Sequence, residues 1–324
     1  MLLNWDTESS EIVSSLRKRK GYMKIVLKTR DERFLLEGWI KHHAAIVGLE
    51  NLIIADNGST DQSVMDIYQQ FAPELFVFSV SGKMNLIHSL SHYRPLYEAL
   101  EESCLLRLFL DTDERLVWLD EDRWYAGREL FERIRLLDGK RIIPTGLLQN
   151  ALGSDRIFYF FPPERFRAIW LWGKPIIPSS LAFAASVQDN GITLHNCQFK
   201  KSAFDGPITT NVNILHLANL IKEQRLRANK NKLVAFGVAQ PDETYEAIAA
   251  RPIEGPLAQY TREIKKLLIW DGIPPLYNEQ PAGTLRLGQS GEMEFANEKD
   301  RQTFVEMMIN SDLHVRSILT EHPE

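Results

Sequence analysis

Apolar runs that alternate with amphipathic segments are the feature that most constrains the fold of this chain. Four such runs, each long enough for one buried strand, occur within the first 110 residues. Between them, apolar residues recur at helical spacing, as at Leu36, Ile40, Ala44 and Val47. Strands that alternate with helices are typical of a parallel sheet covered by helices, so we predict an α/β fold. The four runs are Met23 to Thr29, Asn51 to Ala55, Leu75 to Val80 and Leu105 to Leu110.

Composition and charge make some partners and cellular locations less favoured for this chain. The formal net charge of -5 argues against a nucleic-acid partner. Cys104 and Cys197 have no metal-type spacing, and we expect a reducing, cytoplasmic location. The N-terminus does not resemble a signal peptide, and no apolar run approaches the 18 residues of a membrane span. The basic cluster from Arg17 to Lys20 leaves open a peripheral association with the inner face of a membrane.

The pattern divides the chain into three parts. Residues 1–22 form a polar N-terminal segment, and residues 23–239 form the predicted α/β domain. Residues 240–324 are expected to be a helical C-terminal extension, because "YTREIKKLLIW" and "RQTFVEMMI" have helical spacing.

Three polar clusters follow predicted strands directly. In open α/β sheets, ligands gather where the carboxyl ends of the strands meet. We therefore expect residues 29–32, 56–61 and 111–114 to lie along one edge, and we count Glu32 among the substrate-binding residues. Ser59 or Thr60 is the expected cap of the helix that runs on toward Phe71.

The last of these clusters contains two carboxylates, Asp111 and Asp113, in "LFLDTDERL". Two acids in this spacing can converge on Mn²⁺ or Mg²⁺, hard cations whose remaining sites are often filled by phosphate oxygens. The alternative is a polar turn in which the acids serve only local hydrogen bonds. The position after the fourth strand, on an edge shared with two other polar loops, favours the cation site.

Several motifs resemble one enzyme family. "TRDERFLLEGWIKHH", "LIIADNGSTD" and "LFLDTDERL", followed by "WGKPIIP", "GITLH" and "NILHLANLIKEQRLRANK", are similar to the family-2-like glycosyltransferases. The resemblance covers about residues 24–232. It implies a GT-A type open, mostly parallel sheet that binds a nucleotide sugar. The chain departs from the family pattern at Arg30-Asp31, at Gly38 and at Leu217.

The resemblance also implies roles for individual residues. Asp56 would accept a hydrogen bond from the nucleotide base and Thr29 would line the base pocket. Asp113 and His216 would bind the metal, and Asp111 would lie near the ribose or the metal. Arg94 is a weaker candidate for the pyrophosphate, and His195 in "GITLH" competes with His216 as the metal ligand.

Together these features predict transfer of a sugar from a nucleotide-diphosphate donor to a hydroxyl of a glycan or another acceptor. An inverting enzyme needs a base, for which Asp189, Asp205 and Glu164 are candidates. A phosphatase of the haloacid dehalogenase type is one alternative, although Arg115 stands where its motif has Thr. A non-catalytic nucleotide- or sugar-binding module is the other. The sequence leaves the sugar, nucleotide, acceptor and oligomeric state open.

Overall fold

The computed structural model describes most of the chain as two sheets flanked by helices, which confirms the α/β prediction. The described residues are 2–82, 87, 90–137, 140, 142–143, 145–160, 174–181, 211–235, 237–252, 254–255, 257–269 and 281–308. Their strands are β1 (Leu3–Asn4), β2 (Gly21–Thr29), β3 (Leu52–Asp56), β4 (Phe76–Ser79), β5 (Cys104–Leu110), β6 (Glu114–Leu119), β7 (Trp124–Tyr125), β8 (Gly146–Asn150), β9 (Ile157–Phe160), β10 (Ile177–Pro178), β11 (Val212–His216), β12 (Gly283–Leu287) and β13 (Met293–Phe295). Their helices are α1 (Trp5–Lys18), α2 (Leu36–Val47), α3 (Gln62–Phe71), α4 (Leu90–Ser103), α5 (Gly127–Arg135), α6 (Lys222–Ala235), α7 (Tyr245–Ala249) and α8 (Ala258–Ile269), with a 3-10 turn at Leu49–Asn51 and a helical segment at 298–308.

The first sheet has the strand order β1-β4-β3-β2-β5-β10. Strands β1 to β5 pair in parallel and β10 pairs antiparallel with β5. The chain adds β3 and β4 on one side of β2 and then places β5 on the other side. The order therefore reverses between β2 and β5, and such a reversal opens a crevice at the carboxyl ends of the two strands.

All four predicted strands are present, but two helix starts differ from expectation. Helix α2 begins at Leu36 instead of directly after β2. Asp31 adopts φ +49°, a left-handed conformation that keeps this residue out of a right-handed helix, and residues 33–35 form a turn before α2. The predicted cap of α3 was wrong. Asp61 is the N-cap, and its side chain accepts a hydrogen bond from the backbone N–H of Ser63.

The second sheet has the order β13-β12-β9-β8-β11-β6-β7. The chain passes from the first sheet to the second at Asp111 to Asp113, between the end of β5 and the start of β6. At this end of β6, pairing aligns Glu114 with His216, and His216 with Gln149 on β8. A row of three polar residues on three strands therefore adjoins the Asp-x-Asp turn.

The terminal regions add to these sheets. Strand β1 pairs with β4, and α1 buries Ile12 and Leu16 completely against the first sheet's core. The helical stretches predicted after residue 240 are present as α8 and 298–308. The same region also supplies the β12–β13 hairpin, because Leu285 and Leu287 alternate with exposed or half-exposed neighbours at strand period.

The sheets are held by apolar packing on both faces. Ile25, Leu27 and Ile54 are fully buried against α2, whose Trp39 is also fully buried. Each such side chain contributes roughly 1.5–3 kcal/mol of burial free energy. The strand ends are thereby fixed on a rigid scaffold that positions the polar edge. Among the described residues, no helix has the length and apolar character needed to cross a membrane.

Candidate functional site at the sheet switch point

The loops after β2 and β3 form one side of the site. Asp56 ends β3 and is 2% exposed. Its Oδ1 accepts hydrogen bonds from the Tyr68 hydroxyl at 2.9 Å and the Ser59 hydroxyl at 2.5 Å, and its Oδ2 accepts the Ser59 N–H at 2.8 Å. The predicted nucleotide residue is therefore held in a fixed orientation by its own loop and by α3.

Thr29 and Glu32 connect this side of the site to the Asp-x-Asp turn. Thr29 is buried at the end of β2, and its hydroxyl accepts a hydrogen bond from the Thr112 hydroxyl at 3.2 Å. Glu32 is half-buried and accepts the N–H groups of Phe34 and Leu35. Burial raises the pKa of Glu32, with a further contribution from the charge of Asp113. The fold thus brings the first and third predicted clusters together.

Asp113 and His216 form the centre of the other side. His216 Nε2 lies 3.1 Å from Asp113 Oδ2, and His216 Nδ1 lies 2.9 Å from Gln149 Oε1. Burial alone would raise the pKa of Asp113, but the charge and hydrogen bond of His216 outweigh it and lower this pKa to about 2. Burial would likewise lower the pKa of His216, and Asp113 reverses that effect so that the pKa is raised.

Two lysines flank Asp111. Lys174 Nζ lies 2.7 Å from Asp111 Oδ2 and 3.6 Å from Glu114 Oε2, and Lys28 Nζ lies 3.8 Å from Asp111 Oδ1. Burial lowers the pKa of Lys28. For Lys174 the carboxylates of Asp111 and Glu114 overcome the effect of burial and raise the pKa. Burial raises the pKa of Glu114 to about 7. A cavity of about 10 Å³, room for one water molecule, adjoins Lys28, Asp111 and Lys174.

The donor set at Asp113 and His216 fits a divalent cation that is completed by other ligands. Nowhere in the described part of the chain do three His, Cys, Asp or Glu side chains converge closely enough to hold a metal unaided. Mg²⁺ and similar cations in phosphate-binding sites take one or two protein ligands and fill the rest of the shell with water and phosphate oxygens. Gln149 Oε1 can accept the Nδ1–H of His216 and so direct Nε2 to the metal, as outer-shell acceptors do for metal-binding histidines.

Of the remaining predicted residues, the structure describes two, Asp111 and Arg94, and the others lie outside the described ranges. Asp111 lies between the lysines, and its role as a metal ligand stays a prediction. Arg94 is exposed on α4, and the structure gives it no hydrogen bond or ion pair with the residues above. The candidate bases Asp189, Asp205 and Glu164, together with His195, lie outside the described residues.

Sequence reasoning missed Lys28, Lys174 and Gln149 as members of the site, and it placed Glu114 on the ligand-binding edge without giving it a role. Lys28 could have been found, because it adjoins the predicted residue Thr29 in the chain. Lys174 stands in the quoted "WGKPIIP", but long-range pairing, including that of β10 with β5, brings it to Asp111. Gln149 carries no local signal, since its place depends on the parallel pairing of β8 with β11.

Comparison with known proteins gives neighbours in structure alone. No protein-family profile matches the chain, and no curated protein is detectably similar to it in sequence. Its structure aligns with residues 1–349 of S. aureus TarS at 11% identity and TM-score 0.35, covering 76% of this chain and 70% of that one. It aligns with the mannosyltransferase PcManGT from Pyrobaculum calidifontis, in complex with GDP-Man and Mn²⁺, at 13% identity and TM-score 0.36, covering 81% and 79%. It aligns with glucosyl-3-phosphoglycerate synthase from Mycobacterium tuberculosis, in complex with Mn²⁺, UDP and glucosyl-3-phosphoglycerate, at 12% identity and TM-score 0.31, covering 87% and 90%.

Proposed function

We propose that this chain is a metal-dependent glycosyltransferase of GT-A type. It transfers a sugar from a nucleotide-diphosphate donor to a hydroxyl of a glycan or another acceptor. The observation that carries the proposal is the arrangement of charged side chains where the strand order of the first sheet reverses, between β2 and β5. Asp113 and His216 form a pair suited to a divalent cation. In the same turn, Asp111 is flanked by Lys28 and Lys174, at the sheet edge where such folds bind ligands.

The side chains divide the donor between them. Thr29 and Asp56 bind the nucleoside, while Lys28 and Lys174 place ammonium groups toward the diphosphate. Asp113 and His216 hold Mn²⁺ or Mg²⁺, with Asp111 close by. When bound, the cation supplies positive charge that stabilises the departing diphosphate.

The acceptor side needs a base that removes the hydroxyl proton. We assign this step to Asp189 or Asp205, since an inverting enzyme requires such a base. A cytoplasmic location, with an optional contact to the inner face of a membrane, completes the proposal. In the described part of the chain, no helix is long and apolar enough to cross a membrane.

The proposal is tested by calorimetric titration of nucleotide diphosphates and nucleotide sugars, with and without Mn²⁺, followed by transfer assays with the donor that binds. Asp113→Asn keeps the side-chain shape but removes a charged ligand, so we expect the metal-dependent part of the affinity to disappear while the melting temperature changes little. Asp122→Asn is the matched control, because Asp122 is exposed just beyond the opposite end of β6.

The outcomes separate the alternatives. Sugar transfer or donor hydrolysis that requires Mn²⁺ supports the proposal. Release of inorganic phosphate without sugar transfer would point to the phosphatase instead, and tight donor binding without turnover would point to a binding module. Asp113→Asn protein that binds donor like the parent, with the same metal dependence, would contradict the metal site.

A further inference from the structure

Asp31 has an unusual backbone at the rim of the site. Its φ is +49°, and it is the one non-glycine residue with positive φ among those the structure describes. Side chains with a Cβ atom are disfavoured in this left-handed region, although Asp and Asn tolerate it better than most. Residues in such conformations persist where surrounding contacts fix them, and they cluster at functional sites.

The contacts that fix Asp31 join the loops after β2 and β3. Asp31 Oδ1 accepts the backbone N–H of Thr60 at 2.7 Å and that of Asp61 at 2.9 Å. The N–H of Asp31 donates to the Ser59 hydroxyl at 2.8 Å. Asp61 is itself the N-cap of α3, so Asp31 satisfies backbone donors at the point where this helix begins.

The bonds continue to Asp56. The Ser59 hydroxyl that accepts from Asp31 donates in turn to Asp56 Oδ1, and the Ser59 N–H donates to Asp56 Oδ2. A chain of hydrogen bonds therefore runs from Asp31 through Ser59 to Asp56. We call these three residues and their bonds to Thr60 and Asp61 the Asp31 clasp.

We propose that Asp31 is a positioning residue for the nucleotide half of the donor site, an inference that rests on the proposed function. Through the Asp31 clasp it sets the orientation of the Asp56 carboxylate and the shape of the loop at residues 57–61. The metal half of the site, at Asp113 and His216, has its own contacts and does not depend on the clasp.

Three substitutions separate the backbone from the carboxylate. Asp31→Asn retains an oxygen acceptor and tolerates the left-handed conformation, Asp31→Gly adopts that conformation but lacks the acceptor, and Asp31→Ala loses both. UDP and GDP are titrated into each variant with and without Mn²⁺, and the nucleotide that binds the parent is used throughout. Asp66→Ala, an exposed acid on α3, is the matched control.

We expect Asp31→Asn to bind within about threefold of the parent, and Asp31→Ala and Asp31→Gly to bind about tenfold or more weakly, because hydrogen bonds to a charged acceptor are lost. The ratio of the dissociation constants with and without Mn²⁺ should stay at the parental value in all three. If Asp31 had a purely structural role, the substitutions would lower the melting temperature, but all three variants that fold would bind the nucleotide with parental affinity.

Two results would overturn the inference while leaving the proposed function intact. One is parental affinity in Asp31→Gly, which shows that the side chain is not needed, and the other is a loss confined to the Mn²⁺ condition. If Asp31→Ala does not fold, the Asn and Gly variants give the same decision. A parent protein that binds neither UDP nor GDP nor any other nucleotide diphosphate, with or without Mn²⁺, would instead overturn the proposed function and this inference with it.

Discussion

The two halves of the candidate site are held together in different ways. In the nucleotide half, the Asp31 clasp fixes Asp56 through hydrogen bonds that involve backbone N–H groups and hydroxyls. In the metal half, charged side chains face each other, with Asp113 beside His216 and Asp111 beside Lys174. The first half is shaped by hydrogen bonds between and within two neighbouring loops, and the second by the balance of buried charges.

This difference indicates where ligand binding changes the electrostatics of the protein. Three hydrogen bonds already fix the Asp56 carboxylate before any ligand arrives. In the metal half, the pKa values of Asp113 and Glu114 are moved in opposite directions, to about 2 and about 7. Neighbouring acids whose environments separate their pKa values are typical of functional sites. A cation or a diphosphate that enters this half should therefore rearrange the charges there.

The largest effect is expected from removing the positive charge of Lys174, which lies beside Asp111 in the metal half. Lys174→Met keeps most of the side-chain volume but leaves Asp111 and Glu114 without their nearest positive charge. We expect the free energy of unfolding to fall by about 2–3 kcal/mol, since breaking a buried ion pair strands its partner. Urea denaturation measures this change. Lys28→Met should cost less because Lys28 lies farther from Asp111, and equal stability of Lys174→Met and the parent would refute the charge balance.

A smaller effect is expected at Gln149, which holds His216 from the side opposite Asp113. Gln149→Leu removes the acceptor for Nδ1–H, so the affinity for Mn²⁺ in the presence of nucleotide should fall about tenfold to a hundredfold, as for other outer-shell changes. Gln149→Glu supplies an acceptor again and should restore binding. Ser59→Ala, in the nucleotide half, should leave Mn²⁺ affinity unchanged. Parental Mn²⁺ affinity in Gln149→Leu would show that Gln149 does not orient the histidine.

The smallest effect is a pH dependence of stability. Burial raises the pKa of Glu114 from its usual 4.5 to about 7, so the folded protein binds this proton more tightly than the unfolded chain does. Stability should therefore fall as pH rises from 5 to 7, by about 1–2 kcal/mol from this group. Urea denaturation at a series of pH values, in a buffer with a metal chelator, measures how steeply the free energy of unfolding falls with pH. Glu114→Gln should flatten this slope while His216, whose pKa is also raised, keeps the decline above pH 6.5. An unchanged slope in Glu114→Gln would assign it to another group.

The sequence predicted the positions of residues around Asp56 more completely than those around Asp113, for a physical reason. Asp56 and Thr29 lie at the ends of consecutive parallel strands, so strand alternation alone places them on one edge. Lys174 and Gln149 reach the site through strand pairings between segments more than 60 residues apart. Local periodicity carries no record of such pairings. The left-handed backbone of Asp31, five residues before α2 begins, could not be predicted from the pattern either.

The central claim is that Asp113 and His216 bind a divalent cation together with a diphosphate. Crystals grown with Mn²⁺ and the nucleotide diphosphate that binds the parent, measured for anomalous scattering of manganese, test it most directly. The account predicts a single strong anomalous peak about 2.0–2.3 Å from His216 Nε2 and from an Asp113 oxygen. Bound nucleotide with the manganese peak at other residues, or with no manganese beside Asp113 and His216, would contradict it.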